Sequence, residues 1–260
     1  MGLTKFAIKT AIKQKKIEQY DNFLFIGPHP DDIEIGAGAT ISKLSQMGKN
    51  ITFLICTDGR YGKENCKELT SMQLIEIRKK ESIKSANFLG VNRVLFLDLE
   101  DGNQYSYEKL VKEIAKVINS INPEIIFAPD PDVISETHLD HLNVGRACKE
   151  LANFASYPEI FIHYLDNEKL NENIKIEAIA LYMTAKPNIY VKTTKHYKKQ
   201  IEALSMHASQ YPKNSVAFNS VALYLKLRSI EFGMKKFKRA CEGFRILNKT
   251  TMHCLPEMGE

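Results

Sequence analysis

The chain has 260 residues, 44% hydrophobic and 26% charged, with a formal net charge of +5. This balance excludes the low-hydrophobicity composition of a disordered chain, and no apolar run approaches the ~18 residues of a membrane-spanning helix. Lysines are spread along the whole length with no block of five like charges, so no nucleic-acid partner is expected.

The opening MGLTKFAIKTAIKQKK has no uninterrupted apolar stretch to act as a secretory signal, and Phe6 stands where a myristoylation signal needs Ser or Thr. Ile8, Ala11 and Ile12 share one side of a helix, so residues 1–20 read as a short basic amphipathic extension. Short runs rich in Ile, Val, Leu and Phe follow at 23–26, 51–56, 94–97 and 125–128, each ending near Gly, Pro or Asp, as buried parallel strands do. Between them, residues 35–48, 69–89 and 107–121 have helical length and period and stop at Gly48, at Gly90 and before Pro123. A repeated β-α-β pattern predicts an α/β fold with a Rossmann-like, mostly parallel sheet and helices on both faces. Further along, the pattern predicts a helix over 140–155, strands at IFIHYL (160–165), AIALYM (178–183) and 189–193, and helices over 194–208 and 219–240, the last bearing KKFKR. With no repeat, low-complexity tract or linker, one domain spanning 1–260 is the simpler organisation. The five cysteines, Cys56, Cys66, Cys148, Cys241 and Cys254, are odd in number and form no C-x-x-C pair, which fits reduced thiols and a cytoplasmic location.

In parallel α/β sheets, ligands bind outside the carboxyl ends of the strands. Three polar stretches fall there: GPHPDDIEIG (27–36), TDGRYG (57–62) and PDPDVISETHLDH (129–141). The first holds His29, Asp31, Asp32 and Glu34 and the last holds His138, Asp140 and His141, a crowd of carboxylates and imidazoles that calls for a cation. Two imidazoles and one carboxylate, with a fourth position left for water, is the usual composition of a catalytic zinc site. His29 and Asp32 are three apart on a turn entering a helix, and His141 starts another helix, so these side chains can point at a common centre. Asp31 also suits the N-cap of the helix that follows, and Asp130 and Asp132 read as turn residues. GAGATI lacks the third glycine of a dinucleotide fingerprint, and Asp31, Asp32 and Glu34 would repel a phosphate.

These residues resemble the PIG-L/LmbE-like deacetylases, which share an HPDD-x-E-type motif near the N-terminus and a downstream H-x-D-H. Here they are PHPDDIE at 28–34 and HLDH at 138–141, and ICTDGRYG, IRKKESIKSANFLGV, FLDLEDG, KKQIEALSMHASQ and ACEGFRI are similar to further family segments. The resemblance covers nearly everything beyond the first 20 residues. It implies an LmbE-like fold, one zinc ion (or another divalent transition metal), and hydrolysis of an N-acetyl group from an N-acetylglucosamine-type small molecule. Position by position, it implies His29, Asp32 and His141 as metal ligands and Asp31 as general base. His138 falls near the developing charge with Asp140 as its carboxylate partner, and Arg78 falls where some members contact substrate. The resemblance further implies a protonated His138 beside a tetrahedral oxyanion. Two departures stand out: Glu136 where some members carry tyrosine, and Arg60 where some carry an acidic residue. Arg60, Tyr61 and Arg78 would suit an anionic substrate. Amide hydrolysis on a non-sugar substrate, and a binding protein that has lost catalysis, are the competing readings, and a homo-oligomer stays open.

Overall fold

The structure, a computed structural model, describes residues 14–252. The expected amphipathic helix around Ile8, Ala11 and Ile12 lies outside them, apart from a 3-10 turn at Ile17–Gln19.

Four strands, β1 (Asn22–Gly27), β2 (Asn50–Thr57), β3 (Arg93–Leu99) and β4 (Ile125–Pro129), alternate with α1 (Asp32–Gln46), α2 (Ser71–Leu89) and α3 (Tyr107–Ile121). After β4 come α4 (Leu139–Phe154), α5 (Pro158–Phe161), β5 (Ala178–Tyr182), β6 (Ile189–Lys192), α6 (Tyr197–Leu204), α7 (Val216–Met234) and β7 (Cys241–Asn248). The seven strands form one sheet in the order β3-β2-β1-β4-β5-β7-β6. Strands β1 to β5 run parallel, and β7 pairs antiparallel with both β5 and β6.

Alternation along each strand sorts the core into two layers. Phe23, Phe25, Ile51, Phe53, Ile125 and Phe127 pack with α1, α2 and α6 on one face. Leu24, Ile26, Leu54, Cys56, Ile126 and Ala128 pack with α3, α4 and α5 on the other. Both faces are dry, so the central strands read as unbroken apolar runs. Stacked rings anchor the first layer, with Phe25 and Phe127 centroids 4.3 Å apart.

Two expected elements differ. IFIHYL is not a strand: Tyr157 and Pro158 start α5, and a 3-10 turn at Ile162–Tyr164 follows. Proline at the first helical position has its fixed φ already suited to a helix. Phe161 and Leu165, four apart, are the buried pair, whereas Ile160 and Ile162 are exposed. The predicted helix over 219–240 ends at Met234, and residues 241–248 form β7.

Chain order reverses at β1, whose neighbours are β2 and β4, so the loops after β1 and β4 open at the sheet's switch point. Helix α4 carries the H-x-D-H residues and packs hard against the end of β4. A Cβ on Gly145 would lie 2.6 Å from the Pro129 carbonyl oxygen and 2.9 Å from the Pro131 ring. Backbone cannot yield cheaply, so Gly145→Ala is expected to cost about 1–3 kcal/mol. At about 2–4 °C per kcal/mol for a chain of this size, thermal unfolding should show a clear loss of Tm. An unchanged Tm would mean that α4 is free to move away from the strand.

Candidate active site

Pro28 and Pro30 stiffen the turn out of β1, and α1 begins at Asp32. Asp31 occupies the N-cap position in the left-handed region, with φ 101° and no side-chain capping bond. Such a backbone costs roughly 1–3 kcal/mol and persists only where its surroundings enforce it. What holds Asp31 is Arg78 of α2, whose Nη2 donates to Asp31 Oδ2 at 3.2 Å and to the Pro30 carbonyl at 2.7 Å. Its Nη1 donates to the Gly59 carbonyl at 2.9 Å, so one guanidinium, only 4% exposed, ties the loops after β1 and β2 together. The aspartate is therefore aimed by an arginine and does not cap its own helix.

His29, Asp32 and His141 converge from two segments more than a hundred residues apart. His29 Nδ1 lies 3.1 Å from Asp32 Oδ2 and 3.3 Å from His141 Nε2, and His141 Nε2 lies 3.4 Å from Asp32 Oδ2. Tetrahedral zinc with bonds of about 2.0–2.1 Å spaces its donors about 3.3 Å apart. The three atoms thus outline one face of that tetrahedron. The donor set, two imidazoles and one carboxylate with no cysteine among the converging groups, has the composition of an open rather than a closed zinc site.

Around this face lies a ring of carboxylates that fixes the imidazoles. His29 Nε2 is 3.2 Å from Asp140 Oδ2 and 3.2 Å from Asp101 Oδ1. Asp140 is fully buried and accepts from the backbone N–H of Gly102 and Asn103, each at 3.0 Å, and from the Tyr105 hydroxyl at 2.7 Å. His141 Nδ1 is 2.9 Å from Glu136 Oε2, whose other oxygen accepts the His138 backbone N–H. A carboxylate on the far nitrogen of a ligating histidine fixes its tautomer and ring plane. Glu136, a departure from the resembling pattern, holds that place for His141. Asp101 was not singled out by sequence reasoning; it sits in FLDLEDG, and only its strand-end position hinted at a role. Asp140 approaches His29 more closely than it does His138, whose Nδ1 is 3.7 Å away.

The electrostatics fit a cation. Burial alone would lower the His29 pKa, but Asp101, Asp140 and Asp32 outweigh it and hold the imidazole well above its usual value. Burial likewise opposes protonation of His141, and Asp32 overcomes it, raising that pKa to about 9. Asp32 is held well below the usual carboxylate range because the two imidazoles outweigh its burial. Protons are drawn to this cluster where a divalent ion would displace them. Asp31 differs: burial, only partly offset by Arg78, raises its carboxyl to about 6. His138 is pushed below its usual value by burial and by the neighbouring His29 and His141.

A cavity of about 430 Å³ opens beside the donors, lined by Asp32, His141, Glu136, Thr184, and Tyr224 and Arg228 of α7. Neither Arg60 nor Arg78 lines it. Arg60 is engaged by Asp58, at 2.9 and 2.6 Å, and by Glu100 at 3.1 Å. No described helix is long and apolar enough to cross a membrane.

Residues 24–152 match the family model described as PIG-L, GlcNAc-PI de-N-acetylase. The chain is 32% identical to a diacetylchitobiose deacetylase of Thermococcus kodakarensis over 90% of its own length and 85% of the relative's. It is 26% identical to a probable N-acetyl-alpha-D-glucosaminyl L-malate deacetylase 2 of Bacillus anthracis, covering 72% of this chain and 80% of that one. Among solved structures, the N,N'-diacetylchitobiose deacetylase of Pyrococcus horikoshii superposes with a TM-score of 0.85 at 34% identity, covering 94% of this chain and 90% of that one. Matched motifs, near full-length similarity and the same α/β frame lead to one conclusion: the chain belongs to the PIG-L de-N-acetylase family.

Proposed function

We propose that the protein is a zinc-dependent N-deacetylase that releases acetate from the acetamide of an N-acetylglucosamine-type sugar derivative. The observation that carries this reading is the triangle of His29, Asp32 and His141 donor atoms, at tetrahedral spacing, beside a cavity large enough for a sugar that Asp32 and His141 line. Zinc held there would lower the pKa of a water to about 7 and polarise the acetamide carbonyl.

The chain's own groups supply the proton handling. Asp31, adjacent to Asp32 and aimed by Arg78, has a carboxyl raised toward neutrality by burial, the poise of a general base working near pH 7. It takes the proton from water as the oxygen bonds to the carbonyl carbon. The C–N bond then breaks, the amine takes up that proton from Asp31, and the acetic acid formed leaves as acetate once its remaining proton passes to the amine or to solvent. A His138 ring N–H is suited to donate a hydrogen bond to the oxygen on which charge develops. Asp101, Asp140 and Glu136 hold His29 and His141 in the orientation the reaction needs.

The reading is tested by assaying acetate release from simple N-acetylglucosamine glycosides by the purified protein. Activity is expected to vanish on chelation and return with stoichiometric zinc. Inertness toward every amino sugar, together with hydrolysis of non-sugar amides by the same zinc-loaded protein, would replace the sugar with another amide substrate.

A further inference from the structure

Helix α7 turns an apolar face to solvent. Val216, Leu223, Leu227, Ile230 and Met234 are each between 37% and 83% exposed. At about 3.6 residues per turn these five side chains fall within an arc of about 60°, so they make one continuous stripe rather than scattered surface residues. The opposite side of the helix, with Leu225, Ser229, Phe232 and Gly233, is the buried one. A helix apolar on both sides normally lies inside a core, yet among the described residues nothing covers this stripe. Phe237, just past the helix, is 95% exposed and holds a left-handed backbone with φ 55°. Glycine suits such a position after a helix, so the ring is kept there at a conformational cost and without packing to offset it.

The surroundings of the stripe are basic. Residues 213–240 hold seven lysines and arginines and a single acid, Glu231. That acid is answered by Lys235 at 2.6 Å and by Arg228 on the same helix. Lys226 borders the stripe, and Lys235, Lys236, Lys238 and Arg239 gather around Phe237, all of them exposed. A second copy seated face to face would bring these cations against their own kind. Anionic headgroups above an apolar interior answer both features at once. Leucine, isoleucine, methionine and phenylalanine enter the acyl boundary, while lysine and arginine stems reach back to the phosphates.

We propose that α7 and the turn after it form a docking surface for an anionic lipid bilayer, with Leu223, Leu227, Ile230, Met234 and Phe237 entering the interface. The lipid is a surface here and not a substrate, and the proposal stands independently of the deacetylase reading. Its residues lie outside the matched stretch 24–152, and none of these five lines the cavity beside the metal donors. Tyr224 and Arg228, which do line that cavity, stand to one side of the stripe on the same helix, so docking would hold that wall of the cavity beside the headgroups.

Co-sedimentation of the full chain with vesicles tests it, using phosphatidylcholine alone against phosphatidylcholine with about 30% phosphatidylglycerol. Wild-type protein is expected to partition onto the anionic vesicles about tenfold more strongly or better, the scale of a few basic residues near a charged surface. That advantage should shrink as ionic strength rises from about 0.05 to about 0.5 M. L227Q/M234Q/F237S should weaken partitioning by about tenfold or more and keep the wild-type Tm, because all three positions are exposed. K236Q/K238Q/R239Q should reduce the preference for anionic over neutral vesicles. The chain has no tryptophan, so F237W supplies a single reporter whose emission should move to shorter wavelength on anionic vesicles. Wild-type binding no stronger on anionic vesicles, undiminished binding by L227Q/M234Q/F237S, or an unshifted F237W overturns the proposal. A wild-type oligomer that L227Q/M234Q/F237S dissolves in sedimentation equilibrium would put a second copy on this face and equally overturn it. If the triple variant does not fold, the lipid and salt dependence of wild type and the F237W signal still decide.

Discussion

H141A is expected to lose stoichiometric zinc and, with it, acetate release by about 10³-fold or more, corresponding to the several kcal/mol that a metal contributes to this kind of reaction. H29A should do the same with a larger structural penalty. His141 sits at the cavity wall with a side chain 24% exposed, so an alanine there opens onto space that water can fill. His29 is buried and separates Asp32, Asp101 and Asp140; removing it leaves three carboxylates facing one another with no cation between them. Breaking a buried charged network by removing one partner costs roughly 3–5 kcal/mol. Metal content by atomic absorption, acetate release and a thermal melt on each variant separate the two effects. Either variant keeping a full complement of zinc would show that these nitrogens are not ligands. Loss of metal with hydrolysis intact would remove the metal from the reaction.

D31N should behave in the opposite way with respect to the metal. It keeps zinc near one per chain, because Asp31 supplies none of the three converging donors. It should nevertheless lose about 10²–10⁴-fold in kcat, the range of a missing general base. The amide can still accept a hydrogen bond from Arg78, so the loop need not rearrange, but it can no longer take a proton. Zinc binding alongside kcat distinguishes this from a ligand defect. D31N retaining more than about a tenth of the wild-type rate would assign proton transfer elsewhere, with His138 the neighbouring candidate.

Much of the frame could be read from the sequence because its central strands are buried on both faces. Apolar runs such as 23–26 and 125–128 have no other stable home between two helical layers, and the glycines and prolines after the helices mark where each turns back. The failures are equally physical. IFIHYL is short and apolar, and such runs fit a strand or a helix equally well until packing chooses. Strand β7 was hidden by Glu242 and Arg245, charges that a buried strand seldom carries. Glu242 is accommodated because its carboxylate accepts the backbone N–H groups of Ala39 and Thr40 in α1, and Arg245 because Asp132 meets it at 2.8 Å.

The same distinction runs through the site. Histidine and aspartate in HPDD and HLDH stand out because few structural tasks need that combination at two strand ends. Asp101 does not stand out, and Glu136 does so only as a departure from the resembling pattern: an acid in a loop looks like any turn residue until a histidine nitrogen is found beside it. Tyr224 and Arg228 were less accessible still, since nothing local to a helix near the C-terminus tells which cavity it will border.

The family match at residues 24–152 contains all three converging donors and stops short of the cavity wall built from Thr184, Tyr224 and Arg228. The converging donors and this part of the cavity wall thus lie in separate stretches of the polypeptide, one around the switch in strand order and the other centred on the C-terminal helix α7. A different α7 could therefore reshape that side of the cavity without touching the residues that carry the converging donors.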